Sequence, residues 1–180
     1  ITEMFYPDSL KEAIDFSLSK VNKKNYTKVE FGKNVLIGKN VKIGKNSIIG
    51  HNTLIESNVH IGENCVIGNN VLIKNTIIGD NVRILDGSII GKKGFGFFPQ
   101  NNFNIRYPHI GMVIIKDNVE IGCNNTIDRG SLSNTIIGNN TFIDNQVHIA
   151  HNVKIGSNCI ITGQVGFAGS SSIGDNVSIG

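Results

Sequence analysis

The chain has 180 residues, of which 17% are charged, with a net charge of +3 and no Trp. That length suits one continuous domain, and no block of basic residues interleaved with aromatics points to nucleic acid. No apolar run approaches the roughly 20 residues of a membrane span, and no signal peptide is visible.

Residues 1–30 do not repeat and are expected to be the remnant of an N-terminal domain or a linker. Within them Ser9-Leu-Lys-Glu12 has the form of a capping box opening a short helix, with Leu10, Ile14 and Leu18 on one face. From Phe31 onward the chain repeats every six residues, as in Ile37-Gly-Lys-Asn-Val-Lys, Ile43-Gly-Lys-Asn-Ser-Ile and Ile49-Gly-His-Asn-Thr-Leu. A period this short predicts a parallel β-solenoid. Positions five, six and one alternate in, out, in, so the aliphatic position one and the small position five fill the core. Positions two to four turn a corner, and their Gly and Asn residues suit positive φ. Cys65 and Cys159 fall in the inward slot and read as core fillers, which fits a reducing compartment. Three unevenly spaced thiols make neither a disulfide framework nor a zinc site. The mild basicity suits an anionic ligand or solvated outer lysines such as Lys42 and Lys154, and composition does not separate these.

The breaks in the repeat carry the functional information. The hexad at Ile73 has five residues, that at Ile90 carries an insertion over 92–112, and that at Ile127 has four extra residues within 128–134. These are hexads 8, 11 and 14. With three hexads per coil, all three irregularities stack on one edge, and a loop leaving a regular scaffold there marks a functional edge. The same count places the corners at His151 and Gly169 one and two coils beyond Asp128. His151, beside an insertion holding Phe95, Phe97, Phe98, Phe103 and Tyr107, is the leading candidate for a general base. Gly169 is either an oxyanion donor through its N–H or an ordinary turn glycine. Asp128 either orients His151 or shapes the bulge. His148, facing outward on the strand before His151, is either a substrate contact or a surface residue. His109 sits in the insertion, within reach of a ligand. Gly94-Phe-Gly96 is a weak signal for a phosphate loop, since it neither follows a Rossmann strand nor opens a helix. No third His accompanies His148 and His151 within one subunit, so no metal is expected there. A site shared between subunits, as in hexapeptide-repeat carbonic anhydrases, is the alternative.

Four segments resemble a known family: Gly94-Phe-Gly-Phe97, Pro108-His-Ile-Gly111, Thr126-Ile-Asp-Arg-Gly130 and Ile143-Asp-Asn-Gln-Val-His-Ile-Ala-His-Asn152. Together they resemble the UDP-3-O-(3-hydroxyacyl)glucosamine N-acyltransferases of lipid A biosynthesis. The resemblance implies an all-β fold, a left-handed parallel β-helix over 31–180, a hand the sequence alone does not fix, preceded by the short N-terminal helical segment. It implies transfer of a 3-hydroxyacyl chain from the phosphopantetheine thioester of acyl carrier protein to the 2-amine of a UDP-sugar lipid substrate, with no cofactor. His151 matches the general base, Asn152 a substrate contact, and Gly169 a glycine beside the acyl donor. Asp144, on another corner, reaches His151 only from a second subunit, which fits the homotrimer the resemblance implies. The implied location is cytoplasmic, peripheral at the inner membrane of a Gram-negative bacterium. A sister UDP-N-acetylglucosamine O-acyltransferase, a sugar N-acetyltransferase and a non-catalytic structural solenoid are the competing readings. The absent initial Met and the stop at Ile179-Gly180, two residues into a hexad, lead to the expectation of a piece of a longer protein.

Overall fold

The computed structural model describes residues 28–180, so the expected helix at 9–18 lies outside the described residues. Nearly every hexad forms a two-residue strand, and the strands stack into three parallel ladders of eight, seven and seven members. The first face runs from Glu30–Phe31 to Ser178–Ile179. Along the second face Ile37, Ile55, Ile73, Ile90, Ile127, Ile149 and Phe167 lie in one register. The third face begins at Lys42–Ile43 and ends at Ser172–Ile173. The three ladders close on one another around a common core.

The core is a column of position-one isoleucines. Ile49, Ile55, Ile73, Ile84, Ile90, Ile121, Ile127 and Ile149 have no exposed surface. Each contributes about 1.5–3 kcal/mol of apolar burial. Position five lies between two coils, and its small polar residues are satisfied there. The hydroxyls of Ser47, Thr53 and Thr141 donate to the carbonyls of Gly62, Gly68 and Gly156. Cys65 and Cys159 occupy the same slot, fully buried, and burial pushes the Cys65 thiol up from its ordinary range.

The regular corners divide the work between two positions, and positive φ belongs to the second of them, position four. Position four, mostly Asn, sits at φ near +60°, as at Asn46 (61°) and Asn64 (57°). The amides also form ladders, with Asn46 donating to Asn64 at 3.0 Å. Apart from Gly91 at the start of the insertion, position two does not adopt positive φ, contrary to the expectation that both residues serve the turn in the same way. Its glycines answer to space instead. A Cβ on Gly44 or Gly50 would lie 2.5 Å from the backbone of the next coil.

The insertion leaves from the second face. Ile89–Lys93 is a five-residue strand paired with Thr126–Arg129, with a bulge between Ile90 and Lys92. Gly91 sits in that bulge at φ +83°, where a Cβ would collide with the Lys74 carbonyl of the shortened hexad. The chain then forms an exposed antiparallel hairpin of Phe97–Pro99 with Asn104–Arg106 and returns to the rod at Val113–Ile115. Hexads 8, 11, 14, 17 and 20 all belong to the second face.

Candidate active site on the second edge

His151 occupies the corner after the strand His148–Ile149, and Gly169 occupies the matching corner one coil on. They touch directly. A Cβ on Gly169 would lie 2.8 Å from both Cε1 and Nε2 of the His151 ring. The insertion closes the other side, where a Cβ on Gly94 would meet His151 Cβ at 2.9 Å and Cδ2 at 3.0 Å. The imidazole is therefore held between two positions that only glycine can fill without displacement. Its Nδ1 is buried without a hydrogen-bond partner. The Gly169 N–H makes no hydrogen bond among the described residues.

His109 joins the site from the insertion. Its ring stands edge-on to His151, centroids 5.4 Å apart, and is nearly buried. It ends an aromatic chain in which Phe98 packs on Tyr107 at 4.7 Å and Tyr107 on His109 at 6.4 Å. Arg106 ties the hairpin to its own stem, donating to the Gly94 carbonyl at 2.9 Å and lying over Phe97 at 5.1 Å.

Asp128 is fully buried, and its partners are Lys92 and His148 rather than His151. It pairs with Lys92 of the coil before, and its Oδ2 lies 3.9 Å from His148 Nε2. Thr126 Oγ1 contacts His148 Nδ1 at 2.8 Å. Of the two readings of Asp128, the geometry favours a structural charge pair beside His148. Asn152 is held at φ 63°, and its amide bonds the Ser131 hydroxyl and the Ser131 N–H. That pairing fastens the 128–134 bulge to the His151 corner. Asp144 lies on a different edge, among Phe142, Asn145 and Ile160, and accepts from the Asn145 amide at 2.8 Å.

The arrangement of repeats is matched by known proteins. Residues 134–169 match the bacterial transferase hexapeptide (six repeats) family, and residues 30–94 match the GMPPB C-terminal domain family. The UDP-3-O-acylglucosamine N-acyltransferase of Idiomarina loihiensis is 52% identical over 75 residues, which is 42% of this chain and 22% of that protein. The enzyme of the same name from Rhizobium rhizogenes is 54% identical over 76 residues, 42% of this chain and 21% of that protein. Over that stretch the chain is a homologue of these N-acyltransferases. It spans about a fifth of their length. Among solved structures, a UDP-N-acetylglucosamine acyltransferase is similar at TM-score 0.56 and 27% identity, covering 85% of this chain and 57% of that one. LpxA of Acinetobacter baumannii is similar at TM-score 0.52 and 26% identity, covering 84% and 53%. The shared fold is the left-handed parallel β-helix, the hand that the family resemblance implies.

Counting in eighteens brings His151, Gly169 and the insertion to one edge of this acyltransferase homologue. It misses the packing of Gly94 and His109 on His151, and the Lys92–Asp128 pair. Residues within the insertion have no hexad register, so no spacing rule locates their side chains. The available signal for Lys92 was its position two residues beyond Ile90, directly below Asp128 in the ladder.

Proposed function

We propose that the whole protein is an N-acyltransferase that moves a 3-hydroxyacyl chain from acyl carrier protein to the 2-amine of UDP-3-O-acylglucosamine, a step of lipid A biosynthesis. The observation that carries this reading is the His151 imidazole held between Gly94 and Gly169, on the edge where the insertion leaves the rod. The homology to enzymes of that name supports it.

In this reading His151 accepts a proton from the amine as the nitrogen attacks the thioester carbonyl. The Gly169 N–H, free of any partner among the described residues, holds the developing oxyanion. The intermediate collapses, the C–S bond breaks, and His151 returns the proton to the leaving sulfur. A positioned base supplies about 10²–10⁴-fold, and a single oxyanion donor about 10²–10³-fold. A thioester is already activated and an amine is a good nucleophile, so no acyl-enzyme is required. No cofactor or metal takes part in this scheme. His148 and Asn152 border the acceptor, and Asp128 supports that wall through Lys92.

Asp144 lies too far around the rod to serve His151 of its own chain, so in this reading it serves a neighbouring copy in a homotrimer. The partly exposed apolar side chains Phe142 and Ile160 beside it suit a face covered by another subunit. The unpaired thiols of Cys65, Cys123 and Cys159 fit a cytoplasmic enzyme, working peripherally at the inner membrane of a Gram-negative bacterium on its lipid substrate.

The structural similarity to UDP-N-acetylglucosamine acyltransferases keeps O-acyl transfer as the second reading. The deciding experiment supplies the whole protein with 3-hydroxyacyl carrier protein and either acceptor, the 2-amino sugar nucleotide or UDP-N-acetylglucosamine. Acylation of the amine alone is expected. Acylation of the hydroxyl alone would replace this reading with its rival.

A further inference from the structure

His109 has a bare nitrogen with nothing to bond. Its Nδ1 lies 2.9 Å from the Tyr107 carbonyl oxygen, which can only accept, so Nδ1 carries the hydrogen. In the neutral ring Nε2 then holds a lone pair. A doubly protonated ring would instead bury an unpaired N–H and a charge, at greater cost. That Nε2 is buried and has no hydrogen-bond partner, while the residue as a whole is 5% exposed. It is aimed at the reaction edge. Nε2 of His109 and Cδ2 of His151 both lie 3.0 Å from one point, the place of a Cβ on Gly94. The charged groups nearby are committed elsewhere, with Lys92 on Asp128 and Arg106 on the Gly94 carbonyl.

A buried acceptor without a donor is destabilising, and a donor brought by a bound ligand would offset that loss. We infer that His109 is a specificity-determining residue whose Nε2 accepts the second N–H of the attacking amine while His151 takes the first. This rests on the acyl-transfer reading above and deepens it. The chemistry separates two acceptor classes. A primary amine has a lone pair and two N–H groups. The lone pair forms the new C–N bond, the C–S bond breaks, and one proton travels through His151 to the leaving sulfur. The other hydrogen stays on nitrogen into the product amide, and it needs an acceptor throughout. A hydroxyl has one hydrogen, which goes to the base, and nothing remains for His109. A site with an acceptor on His109 beside the base therefore favours nitrogen over oxygen, in the way that a buried polar group rejects an analogue lacking its partner. Gly94 and Gly96 line the approach to this nitrogen, where a Cβ would lie 3.0 Å from Nε2 at Gly94 and 3.6 Å from it at Gly96, so the absence of side chains at both positions leaves that approach less obstructed.

The test uses the whole protein, wild type and with His109→Gln, His109→Leu or His109→Phe. Gln keeps an acceptor and a donor, whereas Leu and Phe keep neither. Binding is measured by calorimetry for the amine acceptor and for the same sugar nucleotide with a hydroxyl at that carbon. Wild type is expected to prefer the amine at least tenfold, the Gln variant to keep most of that preference, and Leu and Phe to lose it. Turnover of the amine should fall about 10- to 100-fold in Leu and Phe, by the same lost hydrogen bond. A purely structural role would weaken both acceptors equally and leave the ratio unchanged, and that result overturns the assignment. In wild type, where no variant can misfold, the 15N resonance of His109 Nε2 should lie in the unprotonated range and move on adding the amine acceptor. An Nε2 that is protonated, or that is unmoved by the amine, also overturns it. Failure of the acyl-transfer reading looks different: wild type would then acylate no amine at all.

Discussion

The regular coils and the irregular second edge are built from the same hexads but obey opposite rules. In the coils the inward Ser47, Thr53 and Thr141 hydroxyls find partners, and the position-two glycines lie against the backbone and the short corner side chains of the next coil, such as Asp80 and Asp86. On the second edge three buried side-chain atoms go without partners: His109 Nε2, His151 Nδ1 and Asp128 Oδ2. There Gly94 and Gly169 face the His151 ring from its two sides. Since all three such atoms among the described residues fall on the one edge where the repeat breaks, the lost stability is concentrated where a ligand can restore it.

This contrast can be attacked from its strongest side downward. Gly169→Ala places a methyl 2.8 Å from the His151 ring, and the ring must move. Acyl transfer is expected to drop about 10²-fold, because a displacement near 1 Å costs that much at a reacting centre. The melting temperature should stay within a few degrees. An active Gly169→Ala variant would show that the contact does not matter for turnover. Asp128→Asn removes the charge that pairs with Lys92. Breaking a buried pair costs about 3–5 kcal/mol, reduced here to about 1–3 kcal/mol because the Lys92 end reaches solvent. Chemical denaturation of the variant and of Lys92→Met measures this, and the double variant should lie closer to wild type than the two single losses summed.

In the coils the effects should be smaller and confined to stability. Asn64→Ala puts alanine at φ 57° and removes the ladder bond from Asn46, for a loss of about 1–2 kcal/mol with turnover unchanged. A fall in turnover would mean that distant coils couple to the edge, which would blur the contrast. Cysteine labelling at neutral pH gives the mildest comparison. Burial raises the Cys65 thiol, so its thiolate is scarce at that pH, and Cys123 should react first. Early labelling of Cys65 would indicate that the coils open more readily than their packing implies.

The rod was legible in the sequence because a six-residue period leaves one architecture, and because counting by eighteens is a measurement along the chain. That count put Ile73, Ile90, Ile127, Ile149 and Phe167 on one face before any coordinates, and the ladder pairs them so. The role of position two was misread, since propensity suggests a turn conformation where the actual constraint is the 2.5 Å approach of the next coil. The second half of the site was not legible. His109 reaches His151 through a hairpin whose path depends on the antiparallel pairing of Phe97 with Arg106 and on aromatic packing, neither of which has a period. Asp128 was ambiguous for a related reason. Its partner Lys92 sits after a bulge that shifts the register by one, and a count of hexads does not see a bulge.

The account depends most on His151 acting as the base at this edge. The direct measurement is single-turnover acyl transfer by the whole protein, wild type against His151→Ala, with circular dichroism to verify that the rod is intact. A loss of about 10²–10⁴-fold on an unaltered fold is the predicted result. Transfer within a few-fold of wild type would contradict it and move the reaction centre off this edge.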